Sequence, residues 1–248
     1  LYGLLIGSFL NVCIYRIPRN ESVIFPGSHC PVCGASLRFF DLIPVASYLL
    51  LGGRCRYCKR PISLRYPFVE LTTAILITLQ GWRHGINLSF FLYAALTAAL
   101  VVTAMIDFDH QIIPDGLVLV IAILGAARLV LVLLPQLGPA VLLDRTIGFF
   151  LGGGLFLLIA IVSRGGMGGG DVKLAAALGL WFGWKQLLLL VFVAFVSGAL
   201  VSVALLASHV KGRKDGVPFG PFLAFAAYLV SLYGSELMNW YLRTFFIG

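Results

Sequence analysis

The sequence predicts an all-helical protein that crosses a membrane many times and carries one small cysteine-rich insert. Three observations lead there. Hydrophobic residues make up 60% of the 248-residue chain and charged residues only 11%, against roughly 25% charged in soluble domains. Apolar runs of membrane length recur from end to end, and the mean hydropathy is +1.00. The one sizeable polar segment holds two Cys-x-x-Cys pairs.

The first apolar stretch, residues 1–17, is short of the roughly 20 residues that a span needs. It begins without methionine and runs into Arg16, Pro18 and Arg19, as at a cytoplasmic membrane boundary. No small-residue cleavage site follows, so it is expected to be an incomplete first span rather than a signal peptide. Seven further stretches follow at residues 67–82, 88–106, 116–135, 146–163, 172–183, 186–207 and 219–242. The run at 172–183 is too short to span alone and is expected to be broken or shielded by neighbours. The expectation is about eight transmembrane helices: residues 1–16 as a partial first helix, 17–66 as a cytoplasmic domain, and 67–248 as the main membrane domain.

Basic residues orient this array. Eight of the 18 fall within residues 16–65, and alternation of the spans places Arg164, Lys173, Lys211, Arg213 and Lys214 on the same side. The other side holds Arg83, Arg145, Lys185 and Arg243, with Arg128 inside a span. This is the asymmetry of a positive cytoplasmic face. The net charge of +8 therefore serves orientation and contact with the lipid bilayer, and no nucleic-acid partner is expected.

Cys30-Pro-Val-Cys33 and Cys55-Arg-Tyr-Cys58 are spaced for a four-thiolate Zn²⁺ site. Each pair can turn both sulfurs to one point, and two such turns complete a tetrahedron. Disulfides or a redox dithiol are the alternatives, but a cytoplasmic segment stays reduced. A polar segment of this size also needs a staple in order to fold. Arg54, Arg56, Lys59 and Arg60 are placed to offset the thiolate charge. Cys13 reads as a small buried residue of the first span.

The chain has ten acidic residues, and two stand at the ends of long apolar stretches. Asp107 follows directly on one such run. Asp171 ends the glycine run Gly165-Gly-Met-Gly-Gly-Gly170. An ionisable group there is costly unless it meets a polar cavity or a partner. Asp115, after Pro114, suits a helix N-cap, as does Asp171, whereas Asp109 and His110 suit a solvated loop edge. The glycines, with Gly168, Gly169 and Gly170 next to Asp171, form either a flexible loop or an extended stretch on which a peptide pairs by strand addition. Two carboxylates that share one proton can hydrolyse a peptide bond. The helix dipole would favour an ionised Asp171 at a helix start and a protonated Asp107 at a helix end.

Several motifs in order resemble the bacterial type IV prepilin leader peptidases, membrane aspartyl proteases of the Gly-x-Gly-Asp class. They are Gly7-Ser-Phe-Leu-Asn-Val12, Tyr15-Arg-Ile-Pro18, both cysteine pairs, Arg65-Tyr-Pro-Phe-Val-Glu70, Ile106-Asp107 through Ile113-Pro114-Asp115, and Gly168-Gly-Gly-Asp171-Val-Lys173. The resemblance implies that Asp107 and Asp171 are the catalytic pair, with Gly168, Gly169, Gly170, Lys173 and Glu70 shaping the site. It makes residues 67–248 a transmembrane aspartyl peptidase domain. The implied substrates are type IV prepilins and type II secretion pseudopilins, cleaved after a glycine at the cytoplasmic face of the bacterial inner membrane. Pilus or secretion assembly machinery is the implied further partner. Members with the four-cysteine domain also methylate the new N-terminus from S-adenosylmethionine, and no glycine-rich nucleotide fingerprint marks that donor here.

Glu70 is either a helix-start carboxylate or an anchor for the substrate amine. Pro218-Phe-Gly-Pro221 is either a helix start or part of the aspartate cavity. An ion- or proton-coupled transporter is the alternative function, since intramembrane carboxylates and broken helices also mark ion paths. A docking module built on the cysteine segment is a further one.

Overall fold

The computed structural model describes residues 1–164, 166–208 and 216–246. Among these every regular element is helical. The chain divides into two compact units, Leu1–Ile86 and Asn87–Gly248.

In the first unit α1 (Tyr2–Arg16) packs along α3 (Arg65–His84). Small residues permit it. A Cβ on Gly3 would lie 2.7 Å from the Ala74 Cα, and one on Gly7 would lie 2.7 Å from the Glu70 Cα. These glycines, four residues apart, therefore let the two backbones touch, as in membrane helix pairs. Asn11 adds a hydrogen bond from Nδ2 to the Tyr66 carbonyl at 3.1 Å. The polar insert between the helices holds two 3₁₀ turns, Ile17–Arg19 and Phe39–Leu42, and the short α2 (Ala46–Leu50). Arg16 is buried and donates to the Ser22 carbonyl at 2.9 Å, so it ties the start of the insert to the end of α1. The second long helix thus belongs with the first, and this unit continues past residue 66, where the expected cytoplasmic domain ends.

The second unit contains α4 (Leu88–His110), α5 (Asp115–Arg128), a π-helical turn (Leu129–Leu133), α6 (Leu134–Leu137), α7 (Ala140–Val162), α8 (Gly169–Phe182), α9 (Trp184–Ala207) and α10 (Gly220–Phe246). The Asn87 side chain caps α4 by accepting the Phe90 N–H at 3.0 Å. Helix α8 is the hub. It has 14 residues, about 21 Å at 1.5 Å per residue, and Leu174, Ala175, Leu178 and Trp181 have no exposed surface. The shielding expected for the 172–183 stretch is realised by α5 and α7, which pack against it.

Glycines again make the closest contact. Gly148 and Gly152 of α7 rest on the Gly179 and Ala175 carbonyls of α8, and a Cβ at either glycine would collide with main-chain atoms. Among the described residues five helical segments are long and apolar enough to cross a membrane: Leu88–His110, Asp115–Leu137, Ala140–Val162, Trp184–Ala207 and Gly220–Tyr241. The chain is a helical membrane protein on that basis.

One detail differs from expectation. Helix α7 begins at Ala140 rather than near residue 146, so Arg145 is no loop cation: it is 8% exposed and donates to the Trp181 carbonyl at 2.8 Å. The last turn of α8 needs donors for its free carbonyls, which outweighs the pull of Arg145 to water. Lys211, Arg213 and Lys214, which entered the charge asymmetry, lie outside the described residues.

Candidate active site

Asp107 occupies the last turn of α4, and Asp171 is the third residue of α8. Both are buried, at 5% and 9% exposure. Both stand at the same end of the second unit, since Gly170, next to Asp171, packs against Ile113 in the turn that follows α4. Each carboxylate is held by a main-chain donor. Gly168 N–H donates to Asp171 Oδ2 at 3.2 Å, and Gly220 N–H donates to Asp107 Oδ2 at 2.8 Å.

The N-cap of α8 is Gly168 and that of α5 is Pro114, so neither Asp171 nor Asp115 is itself the cap. Asp171 reaches back from the third position, where its carboxylate satisfies the orphan N–H of the cap residue. Gly220 is the first residue of α10, so Asp107 faces the positive end of a second helix. The dipole difference expected between the two aspartates is thereby offset. Asp171 Oδ1 is buried and accepts no hydrogen bond from the described residues.

Two contacts set the start of α8 beside the turn that follows α4. A Cβ on Gly170 would lie 2.8 Å from that of Ile113, so only glycine lets α8 approach the 111–114 turn this closely. Lys173 Nζ bridges both oxygens of Asp115 at 2.7 and 2.9 Å. At the far end of α8, Arg128 and Arg145 both donate to the Trp181 carbonyl, at 2.9 and 2.8 Å, and Arg128 also reaches the Tyr93 hydroxyl at 2.7 Å. Asp109 and His110 are exposed, as a solvated edge requires, but they lie on the last turn of α4 rather than in the loop. Gly168 and Gly169 are exposed and Gly170 partly so, while Gly165 lies outside the described residues.

Two elements of the site escaped the sequence. The Gly220 donor was signalled only by its Pro-Phe-Gly-Pro context, which fits a helix start equally well, and it is both. The Arg128 and Arg145 clamp lacked any pattern, since its common target is a carbonyl.

Glu70 belongs to the first unit. It is buried, and its Oε2 accepts the Val45 N–H at 2.7 Å. All five cysteines are free thiols. The sulfurs of Cys30, Cys33, Cys55 and Cys58 lie within 4.8 Å of one another, and Cys30 and Cys58 are 3.9 Å apart. A tetrahedron with metal–sulfur bonds of about 2.3 Å has edges of about 3.8 Å, so these four residues can hold one metal ion.

The two cysteine turns share one design. In each the first cysteine N–H and C=O both bond within the turn, and the residue after the second cysteine takes positive φ: Gly34 at +69° and Lys59 at +59°. The N–H groups of Cys33 and Val32 lower the Cys30 thiol from its usual range to about 6, whereas Cys58, despite the Arg60 N–H, is pushed up to about 11 by burial and the three neighbouring sulfurs. Of the four basic neighbours, Arg56 is engaged by Asp41 at 2.6 Å rather than left to the thiolates.

Fold and site together define a helical membrane protein with a buried pair of carboxylates at two helix ends and a separate four-cysteine cluster. The family model "Bacterial Peptidase A24 N-terminal domain" matches residues 1–84, and "Type IV leader peptidase family" matches residues 94–203. A protein of Pseudomonas aeruginosa named prepilin leader peptidase/N-methyltransferase is 36% identical, covering 98% of this chain and 92% of the relative. Proteins of the same name from Bacillus subtilis (36% identical; 98% of this chain, 96% of the relative) and Legionella pneumophila (33%; 98% and 92%) are similar over equal lengths. No solved structure matches the chain. The chain belongs to the type IV leader peptidase family.

Proposed function

We propose that this protein is a bifunctional membrane enzyme: an aspartyl endopeptidase that removes the leader of type IV prepilins, and an N-methyltransferase that modifies the amine so exposed. Membership of a family whose members carry both names supports it. The observation that carries it is the buried Asp107–Asp171 pair, with Asp171 Oδ1 open.

Two carboxyls in mutual repulsion and out of water hold one proton between them. The ionised member takes a proton from a water as its oxygen attacks the scissile carbonyl. The protonated member gives its proton to the carbonyl oxygen. Collapse of the tetrahedral intermediate breaks the C–N bond: the proton first taken from water leaves on the amine, and one hydroxyl of the intermediate returns its proton to the second carboxylate, which restores the pair. The Gly220 and Gly168 N–H groups keep each carboxylate aimed, and the exposed Gly169 N–H, in the first turn of α8, offers a hydrogen bond to an extended substrate.

The finer assignments are proposals of the same kind. Cleavage follows a glycine at the cytoplasmic face of the inner membrane, and pseudopilins are substrates as well. The methyl donor is S-adenosylmethionine. The cysteines hold Zn²⁺, which on binding cross-links the two turns. Residues 17–66 form the zinc domain between the first of eight spans and the peptidase domain, and assembly machinery is the docking partner.

Mass spectrometry of a synthetic prepilin with a basic leader and a Gly-Phe junction tests the central claim. Wild-type protein in detergent is expected to cleave after the glycine and, with S-adenosylmethionine, to add one methyl mass. Folded Asp107→Asn and Asp171→Asn proteins are expected to leave the peptide intact; cleavage by either would remove the pair from the mechanism.

A further inference from the structure

We infer that Phe219 is a positioning residue for leader cleavage: its ring anchors the start of α10, so that the Gly220 N–H stays aimed at Asp107. This rests on the peptidase half of the function proposed above. Asp171 takes its N–H from Gly168 in its own helix turn, so local geometry suffices there. Asp107 takes its donor from 113 residues away, and that geometry depends on tertiary packing. Gly220 has no side chain with which to fix its own place, and glycine has the freest backbone of all residues. Its neighbours must hold it.

Phe219 does so in two ways. Its carbonyl accepts the Phe222 N–H at 3.0 Å and the Leu223 N–H at 3.1 Å, which closes the first turn of α10. Its ring centroid lies 5.0 Å from that of Phe195 on α9, 6.0 Å from Phe156 on α7 and 6.2 Å from Phe222 on α10 itself. All three separations lie where aromatic rings attract beyond the area they bury.

The surroundings leave this ring little freedom. Phe156 has no exposed surface and stands as a fixed wall. On α9, Gly198 makes the room, since a Cβ there would lie 3.4 Å from the Phe222 ring and 3.6 Å from the Phe219 ring. Pro218 and Pro221 flank the pair. Each has a fixed φ and no N–H, so Phe219 and Gly220 alone carry main-chain donors in this turn. Three helices thus hold one ring, and that ring stands one residue from the donor.

The test uses the full chain in detergent and has two readouts. With carbonyl-labelled phenylalanine and nitrogen-labelled glycine, the Phe-Gly junctions at Gly183 and Gly220 alone report, and Asp107→Asn identifies the Gly220 signal by moving it. Phe195→Leu removes the nearest ring and leaves the sequence of α10 intact. It is expected to shift the Gly220 amide proton upfield as the hydrogen bond weakens.

Steady-state cleavage is the second readout. Phe219→Leu is expected to lower kcat about tenfold with KM little changed. Combined with Gly220→Ala, it is expected to be no slower than Gly220→Ala alone, because the ring acts through that donor. Leu190→Ala, at a fully buried position of α9, controls for lost stability and is expected to keep kcat while lowering the unfolding midpoint at least as far. An unmoved Gly220 amide in Phe195→Leu, losses that multiply in the double variant, or an equal loss of kcat in Leu190→Ala would overturn the assignment. If the amide responds as expected but wild type never cleaves, the peptidase function falls and the anchoring stands.

Discussion

Gly220 presents its main-chain N–H to Asp107 Oδ2 at 2.8 Å, joining the start of α10 to the end of α4 across 113 residues of sequence. The contact tolerates no side chain. A Cβ on Gly220 would lie 2.7 Å from that same oxygen.

Gly220→Ala is therefore expected to push the Asp107 carboxylate aside and break its charged hydrogen bond. A bond of that kind is worth roughly 1.5–3 kcal/mol, so kcat should fall by about ten- to a hundredfold. Steady-state cleavage kinetics check it. A variant with wild-type kcat would show that the donor does not matter.

Asp107→Asn and Asp171→Asn should each lower kcat by several orders of magnitude, and the double variant should be little worse than either, because groups that act as a unit are non-additive. The wild-type rate should be bell-shaped in pH. Activity needs one proton on the pair, so it falls at low pH as both carboxyls protonate and at high pH as both ionise. Initial rates across the pH range, with folding monitored in parallel, decide this.

The Lys173–Asp115 bridge is exposed, with side chains 56% and 73% accessible. Its worth is expected to be small, about 0–1 kcal/mol, and to shrink in high salt. A double-mutant cycle with Lys173→Met and Asp115→Asn, read by thermal unfolding, should give a coupling in that range. A much larger coupling, or abolished cleavage in Lys173→Met, would give Lys173 a direct part in the site.

Gly148→Val should separate α7 from α8, since any Cβ there strikes the α8 backbone. Overpacking of this kind costs typically about 1–3 kcal/mol and should displace Asp171 along with its helix. Gly154→Ala, on the same helix with open space around it, should be neutral or stabilising by up to about 1 kcal/mol. Unfolding midpoints of the two proteins in one detergent make the comparison.

Chelation of the metal, or Cys30→Ser, is expected to unfold the insert while α4 to α10 persist, because the insert lacks an apolar core of its own and sits in a separate unit. Metal analysis should fall from about one ion per chain to none. Limited proteolysis should then cut within residues 17–64. An insert that stays protease-resistant without metal would show that the thiolates are not its staple.

Composition and short spacing made part of this protein legible along the chain. Apolar length gave the helices, because a backbone in lipid must satisfy its own hydrogen bonds. The two Cys-x-x-Cys pairs gave the thiolate cluster, because each turn is local and its left-handed residue, Gly34 or Lys59, stands directly after the second cysteine. Asp107 and Asp171 were legible as anomalies, because a carboxylate beside an apolar run needs a reason to be there. What surrounds them follows from the packing of helices distant in sequence. Asp107 meets the amino end of α10, Asp171 keeps one oxygen open, Arg128 and Arg145 converge on the Trp181 carbonyl, and Gly148 and Gly152 admit the α8 backbone. Each of these contacts has a main-chain group on at least one side or depends on the exact approach of two helices. Main-chain groups are the same at every residue, so no pattern of side chains along the sequence encodes which of them will meet.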